Sequence, residues 1–133
     1  MPNKSHKNCV ELHKSTLEKE FNYRCRKEYP IPVNGLLHEL DLACFRNECP
    51  SAVVLEAESI TNFNTPAVKS NAEDIRTFRQ IFGEHTTKGF HINVNDIIDF
   101  EKELVCDIPI KKPITLRPQN KYNIPKKKIS LGW

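Results

Sequence analysis

The sequence lacks several features that would assign it to a common class of protein. No apolar run among its 133 residues approaches the roughly 20 that span a bilayer, so no membrane partner is expected. The N-terminal segment MPNKSHKN is polar and lacks the apolar centre of a secretory signal. Cys44 and Cys49 have no second cysteine pair at comparable spacing, which argues against structural zinc. These absences predict an intracellular protein, cytoplasmic or nuclear, that is not secreted.

The number and spacing of the cysteines set an expectation about the oxidation state of the thiols. The five cysteines are an odd number, at positions Cys9, Cys25, Cys44, Cys49 and Cys106. This scattered distribution predicts reduced thiols and not a disulfide framework. A zinc alternative stays open on the predicted N-terminal helix, where His6, Cys9 and His13 lie on one face, although a fourth ligand is missing there.

The charge is distributed unevenly, because no acidic residue follows position 107. The basic residues in that region are Lys111, Lys112, Arg117, Lys121, Lys126, Lys127 and Lys128. A basic segment interleaved with prolines and polar residues can neutralise phosphates, so a nucleic acid is the expected partner; the alternative is a solvated tail. We therefore divide the chain into one domain over residues 1–108 and a basic C-terminal extension over residues 109–133.

Acidic residues are concentrated on a predicted hairpin, whose strands are 36–45 (LLHELDLACF) and 51–59 (SAVVLEAES). If the strands pair symmetrically about the turn, Asp41 lies opposite Glu56 and Glu39 lies opposite Glu58. Because side chains alternate along a strand, these four carboxylates share one outer face, and no basic residue interrupts them. The other face is apolar and contains Leu40, Leu42, Cys44, Val53, Leu55 and Ala57.

The acidic face needs a physical explanation, because acids are depleted in strands and like charges opposite each other are unfavourable. A divalent cation such as Mg²⁺ would explain it, since hard ions take carboxylate oxygens as ligands. The alternative is a solvated face on which water screens the charges. His38 falls on the apolar side by alternation, and we interpret it as a structural histidine.

Apolar periodicity, caps and turn residues predict the remaining elements. The sequence SNAE at 70–73 is a capping box, and Gly83 marks the end of the helix that follows. The predicted order is a helix over 8–22, an edge strand over 24–33, the hairpin, a loop over 60–69, a helix from 70, a strand over 89–94, a helix over 96–104 and a strand over 108–116. This order predicts an α/β (α+β) fold with a mixed central sheet flanked by helices.

These elements and their acids resemble the arrangement of the PD-(D/E)XK nuclease superfamily, the restriction endonuclease-like proteins. In that arrangement a helix bearing Glu precedes a strand bearing Asp, a hairpin partner reading Glu-x-Lys, a helix and a strand. The resemblance spans residues from about 17 to 94. It implies a restriction endonuclease-like fold in which Asp41 is the metal-binding aspartate and Glu56 its acidic partner. Glu20, or else Glu18, corresponds to the helix glutamate.

Glu58 occupies the position at which most members of the superfamily carry lysine. The resemblance implies that Glu58 is a further ligand or the base that takes a proton from water, and that the Ala57 carbonyl adds a ligand. Asp41 and Glu56 would hold one or two Mg²⁺ (or Mn²⁺) ions, which polarise a phosphate and lower the pKa of bound water. The implied function is a metal-dependent endonuclease that hydrolyses phosphodiester bonds in DNA.

Several interpretations stay open because of Glu58. Some type II restriction enzymes resemble this variant and remain active, whereas other members that lost a motif residue no longer cut. The second interpretation is therefore a non-catalytic nucleic-acid-binding or assembly module on the same fold. The third is an unrelated interaction domain with an acidic surface hairpin. Lys69, near the N-terminus of the second helix, is a candidate phosphate contact. The sequence does not distinguish a DNA substrate from an RNA substrate, or a homodimer from a subunit of a larger complex.

Overall fold

The described residues form a four-stranded mixed sheet with two helices. The computed structural model describes residues 4–47, 52–60, 62, 64–96, 98–100 and 104. The elements are α1 (Lys4–Glu20), β1 (Arg24–Val33), β2 (Leu36–Phe45), β3 (Ala52–Glu58), α2 (Pro66–Phe82) and β4 (Thr87–Asn93). The strands lie in chain order, with the first three antiparallel and β4 parallel to β3. The predicted α+β class, with a mixed sheet, is confirmed.

Some predictions concern parts of the chain outside the described residues. The predicted helix over 96–104 is described only in part, and Phe100 and Leu104 are buried in the core. The predicted strand over 108–116 and the basic extension over 109–133 lie outside the described residues, together with the proposed phosphate contacts Lys111, Lys112, Arg117, Lys121, Lys126, Lys127 and Lys128. No helix in the described part is long and apolar enough to cross a membrane.

The sheet is buried on both faces. On one face Leu42, Leu55 and Ala57 pack with Val10 and Leu17 of α1. On the other face Ala43, Phe45 and Val54 pack with Phe78 and Phe82 of α2. Every residue of β3 from 52 to 57 is buried. The alternative of a solvated outer face is excluded at Glu56, because α2 covers this face of the sheet there, whereas Glu39 of β2 is exposed.

The helix α2 begins earlier than its capping box predicted. Thr65 is the N-cap, its Oγ1 accepts a hydrogen bond from the Val68 N–H at 3.3 Å, and Pro66 follows at the first turn. A capping hydroxyl followed by proline is a strong start signal, because proline supplies a helical φ where no N–H donor is needed. The predicted end is confirmed, since Gly83 caps the helix with its N–H donated to the Arg79 carbonyl at 2.8 Å.

A disulfide joins Cys25 of β1 to Cys44 of β2. The expectation of reduced thiols is wrong for this pair, because the register places the two residues directly opposite each other. Facing residues on paired strands have Cβ atoms close enough for such a bond, and the register could not be read from cysteine counting. Among the described cysteines, Cys9 is a buried free thiol.

The pairing of β1 with β2 is interrupted once, at Glu28 and Asp41. The register pairs Lys27 with Leu42 and Tyr29 with Leu40 and skips the pair between them. Glu28 has a φ of 53°, in the left-handed region that a residue with a Cβ rarely adopts. The strand changes its facing there, since Leu42 packs toward α1 and Leu40 packs toward α2. The predicted common face of Leu40 and Leu42 is wrong, because alternation fails at such an irregularity.

Candidate functional site

The strands β2 and β3 part next to Asp41 and Glu56. Their regular pairs run from Phe45–Ala52 to Leu42–Leu55, which confirms the predicted register, and end there. Beyond that point the Asp41 N–H donates to Glu56 Oε1 at 2.8 Å, and the Ala57 N–H donates to Asp41 Oδ2 at 2.8 Å. Each carboxylate thus accepts a hydrogen bond from the backbone of the opposite strand. The two side chains occupy the gap that the main-chain ladder leaves.

The two carboxylates reach different helices from this gap. Glu56 lies between Leu55 and Ala57, which both pack toward α1, so Glu56 faces α2, and it is only 2% exposed. Asp41 is partly buried, and its Oδ2 lies 3.1 Å from His6 Nε2 of α1. The expectation that Asp41 and Glu56 share one outer face is therefore wrong. They meet inside the sheet, with one helix contributing a partner to each.

A second acid and a histidine extend the α2 side of the site. Asp74 of α2 is buried and forms a side-chain hydrogen bond with Glu56. His38 Nδ1 lies 2.6 Å from Asp74 Oδ1. His38 was expected on the opposite face from the acids, and this is wrong because the strand changes its facing at Asp41. The result is a chain of three side chains from buried Glu56 to the partly exposed His38.

The surroundings of Glu56 favour the protonated form of its carboxyl group. Burial in the sheet raises its pKa most, and the nearby charges of Asp41 and Asp74 and the hydrogen bond to Asp74 raise it further. The hydrogen bond from the Asp41 N–H acts in the opposite direction. Together these effects raise the pKa of Glu56 from 4.5 to about 10. At neutral pH the protonated carboxyl can donate to Asp74, which keeps two adjacent acids from repelling each other.

Glu58 is joined to α2 and β4. It is partly buried at the end of β3, and its Oε1 accepts a hydrogen bond from Asn71 Nδ2 at 3.2 Å. Asn71 Nδ2 also lies 3.2 Å from His91 Nε2. Burial lowers the pKa of His91 from its usual value, although the charges of Glu58 and Asp41 act against this change. A neutral imidazole at His91 can accept the hydrogen bond from Asn71.

Other predicted site residues are not brought to the gap. Glu20 is exposed at the last residue of α1, on the order of 20 Å along the helix axis from His6. Glu18, its alternative, pairs with Lys14 at 3.2 Å. Lys69 is exposed in the first turn of α2, near the helix N-terminus as expected.

The histidines and cysteine considered for zinc do not converge. His13 Nδ1 donates to the Cys9 carbonyl at 2.7 Å, while His6 turns to Asp41. Over the part of the chain that the structure describes, no three His, Cys, Asp or Glu side chains are arranged as ligands around one point. At the gap this has a physical reason, because the oxygens of Asp41 and Glu56 are already bound to N–H groups and to a proton.

An open cleft of about 370 Å³ adjoins the α1 side of the gap. It lies between α1 and β1, and Asp41 of β2 also lines it. His6 and Lys7 line it from the helix, and Lys27 and Glu28 line it from the strand. The α2 side of the gap is different, since Glu56 and Asp74 are both buried there.

Sequence reasoning missed Asp74, and it considered His6 only as a zinc ligand and not as a partner of Asp41. Asp74 lies four residues before Phe78 and so on the same face of α2, where an acid in an apolar stripe is a readable signal of a buried polar contact. His6 offered no comparable signal, because its contact depends on how α1 crosses the sheet. Comparison with known proteins finds no matching family model, no matching curated protein and no matching solved structure.

Proposed function

We propose that the chain is a metal-dependent endonuclease that hydrolyses phosphodiester bonds in DNA, with Asp41 and Glu56 at its centre. The observation that carries this proposal is their reciprocal contact with the backbone at the point where β2 and β3 part. Buried acids in contact are unfavourable unless a proton or a cation offsets their charge. The order helix, three strands, helix, strand also agrees with the restriction endonuclease-like arrangement to which the motif is similar.

The residue types at the gap suit a hard divalent cation, but their side chains are not arranged around one point, so binding would require them to reorient. Glu56 contacts both Asp41 and Asp74, so three carboxyl groups are available, and Mg²⁺ and Mn²⁺ prefer such oxygen ligands. The Ala57 carbonyl points into the same gap, because the N–H and C=O of one strand residue point to the same side and the Ala57 N–H contacts Asp41. A cation would replace the two N–H contacts and the proton on Glu56.

Each residue of the site then has a defined part. The metal, when bound, polarises the scissile phosphate and lowers the pKa of a bound water. Asp41 and Glu56 supply the ligand oxygens, and His6 orients Asp41 through Nε2. Glu56 must release its proton to bind a cation, and Asp74 and His38 connect it to the surface. Glu58 takes the water proton if its contact with Asn71 exchanges.

Calorimetry in two buffers of different ionisation enthalpy tests the metal centre. We expect Mn²⁺ or Mg²⁺ binding near pH 7.5 to release about one proton, because Glu56 must ionise. Asp41→Asn should remove binding without changing the far-UV circular dichroism. Glu39→Gln is the matched control, since Glu39 is an exposed acid on the same strand. The proposal fails if wild type binds neither ion, or if Asp41→Asn binds as well as the control.

A second function is favoured by one observation, the contact of Glu58 with Asn71. With its carboxylate turned toward α2, Glu58 is not held at Asp41, and the fold would then serve as a non-catalytic nucleic-acid-binding or assembly module. Plasmid nicking separates the two. No nicking by wild type across Mg²⁺, Mn²⁺ and several DNA forms, together with retained DNA binding, would select the binding module.

A further inference from the structure

The cleft between α1 and β1 is the open route to the gap. Its volume of about 370 Å³ lies at the lower end of the range of about 300–1,000 Å³ that is usual for ligand sites. Asp41, Lys7 and Lys27 all line it. Both lysines are exposed, so their ammonium groups are accessible to a solute. A space of this size admits a part of one nucleic-acid strand, whereas an intact duplex is far too wide.

The charges around the cleft are already paired in part. Lys27 Nζ donates to Glu11 Oε2 at 3.3 Å, with both side chains about half exposed, and His6 contacts Asp41. Exposed ion pairs of this kind contribute little to stability and exchange easily. An anion that enters the cleft can therefore replace Glu11 as the partner of Lys27. A divalent cation at Asp41 would make the cleft more favourable for an anion.

The left-handed Glu28 shapes this cleft. A residue with a Cβ in that region costs of order 1 kcal/mol and persists where the surrounding structure imposes it, often at functional sites. The irregularity at Glu28 and Asp41 turns the Asp41 side chain into the gap. Lys27, which precedes Glu28 in β1, stays on the α1 side of the sheet with its pairing partner Leu42. One break in the strand pairing thus places a basic and an acidic group on the same cleft.

We propose that this cleft binds a phosphate group of the substrate strand, with Lys7 and Lys27 as its contacts. Glu11 holds Lys27 when the cleft is empty and is displaced when the phosphate enters. The inference rests on the proposed function, in which Asp41 belongs to the reacting centre. The inference adds the direction from which the substrate enters. The DNA strand approaches Asp41 from the α1 side, because the α2 side of the gap is closed. The inference also predicts a preference for single-stranded or locally opened DNA.

Anisotropy titrations of a short fluorescein-labelled single-stranded DNA test the assignment, with the full chain in Ca²⁺ and again in EDTA. Lys7→Ala/Lys27→Ala should weaken binding about tenfold, as loss of charge-assisted contacts does. The log–log salt slope should shrink by about 0.7 for each contact removed. Glu11→Gln should tighten binding, because it frees Lys27 and removes a negative charge. The control is Lys19→Ala/Lys88→Ala, two exposed lysines away from the cleft.

The outcomes separate this inference from the proposed function. Equal losses of DNA affinity in the cleft variant and in the control would overturn the inference, because the overall charge of the protein would then account for binding. Weaker DNA binding by Glu11→Gln would also overturn the inference, because the Lys27–Glu11 ion pair would then stabilise the cleft and would not be displaced by phosphate. A cleft-specific loss in Ca²⁺ and in EDTA supports it even if wild type never cuts DNA. If the cleft variant cuts DNA with metal as well as wild type does, the proposed function stands and the cleft inference is wrong.

Discussion

The two sides of the gap between β2 and β3 carry the same kind of residues in opposite surroundings. On the α1 side Asp41 meets His6, and both line an open cleft. On the α2 side Glu56 and Asp74 are buried, and His38 is their connection to the surface. Burial decides the difference, because it forces Glu56 to keep a proton while the open side can exchange ions with water. Under the proposed function, the substrate would approach from the open side, while the closed side holds Glu56 in surroundings that raise its pKa.

The largest expected effect concerns Glu58, which belongs to the closed side through Asn71. If Glu58 acts as a base or ligand, Glu58→Ala should lower plasmid nicking in Mg²⁺ by about 100-fold or more, which is the usual contribution of a general base. DNA binding in Ca²⁺ should stay nearly intact. Glu39→Ala, the exposed acid on β2, serves as the control in both assays.

A charge reversal at Glu58 distinguishes an enzyme from a non-catalytic module. Glu58→Lys introduces the lysine of the nuclease motif that this hairpin resembles, so a non-catalytic scaffold would gain nicking activity from it if the resemblance reflects the same fold. An enzyme adapted to glutamate would lose activity instead, because an ammonium group repels a metal at Asp41. Nicking by Glu58→Ala at the wild-type rate would remove Glu58 from the mechanism.

The next prediction concerns the proton on Glu56. Because its pKa is raised to about 10, the folded state retains a proton that the unfolded chain has lost above its ordinary pKa of 4.5. Stability is therefore fully present below that ordinary value and falls as pH rises toward 10. Glu56→Gln is neutral at every pH, so it should remove a decrease in unfolding free energy of at most about 1.4 kcal/mol per pH unit.

Urea denaturation at pH 5, 7 and 9 without added metal measures this effect. The unfolding free energy of Glu56→Gln should exceed that of wild type increasingly from pH 5 to pH 9. Glu39→Gln should run parallel to wild type, since that carboxylate is exposed. Parallel curves for Glu56→Gln and wild type would mean that Glu56 is ionised in the fold, and the contrast between the two sides would disappear.

Particular residues show how far sequence reasoning could reach. The α+β class and the hairpin register followed from apolar alternation and turn position, because both depend on neighbouring residues. The facing of Leu40 and His38 was wrong, because β2 changes its facing at Asp41, where its pairing with β1 is interrupted, and no residue in the sequence signals that interruption. The Cys25–Cys44 disulfide and the contact of His6 with Asp41 depend on how separate elements lie against each other. Such contacts have no local signature in the chain.

The smallest expected effect tests the irregular strand pairing at Glu28 and Asp41, which gives rise to the α1 side and the α2 side of the gap. Glu28 has a φ of 53°, and glycine adopts this conformation without the steric cost that a Cβ imposes. Glu28→Gly should therefore raise the unfolding free energy by up to about 1 kcal/mol, after the greater freedom of glycine in the unfolded chain is counted. Glu39→Gly, in the regularly paired part of β2, should lower it by about 0.5–1 kcal/mol. Chemical denaturation measures both, and equal losses would show that Glu28 is not strained. A strand that is regular at Glu28 would keep Asp41 in the ladder, and Asp41 would not reach the Ala57 N–H.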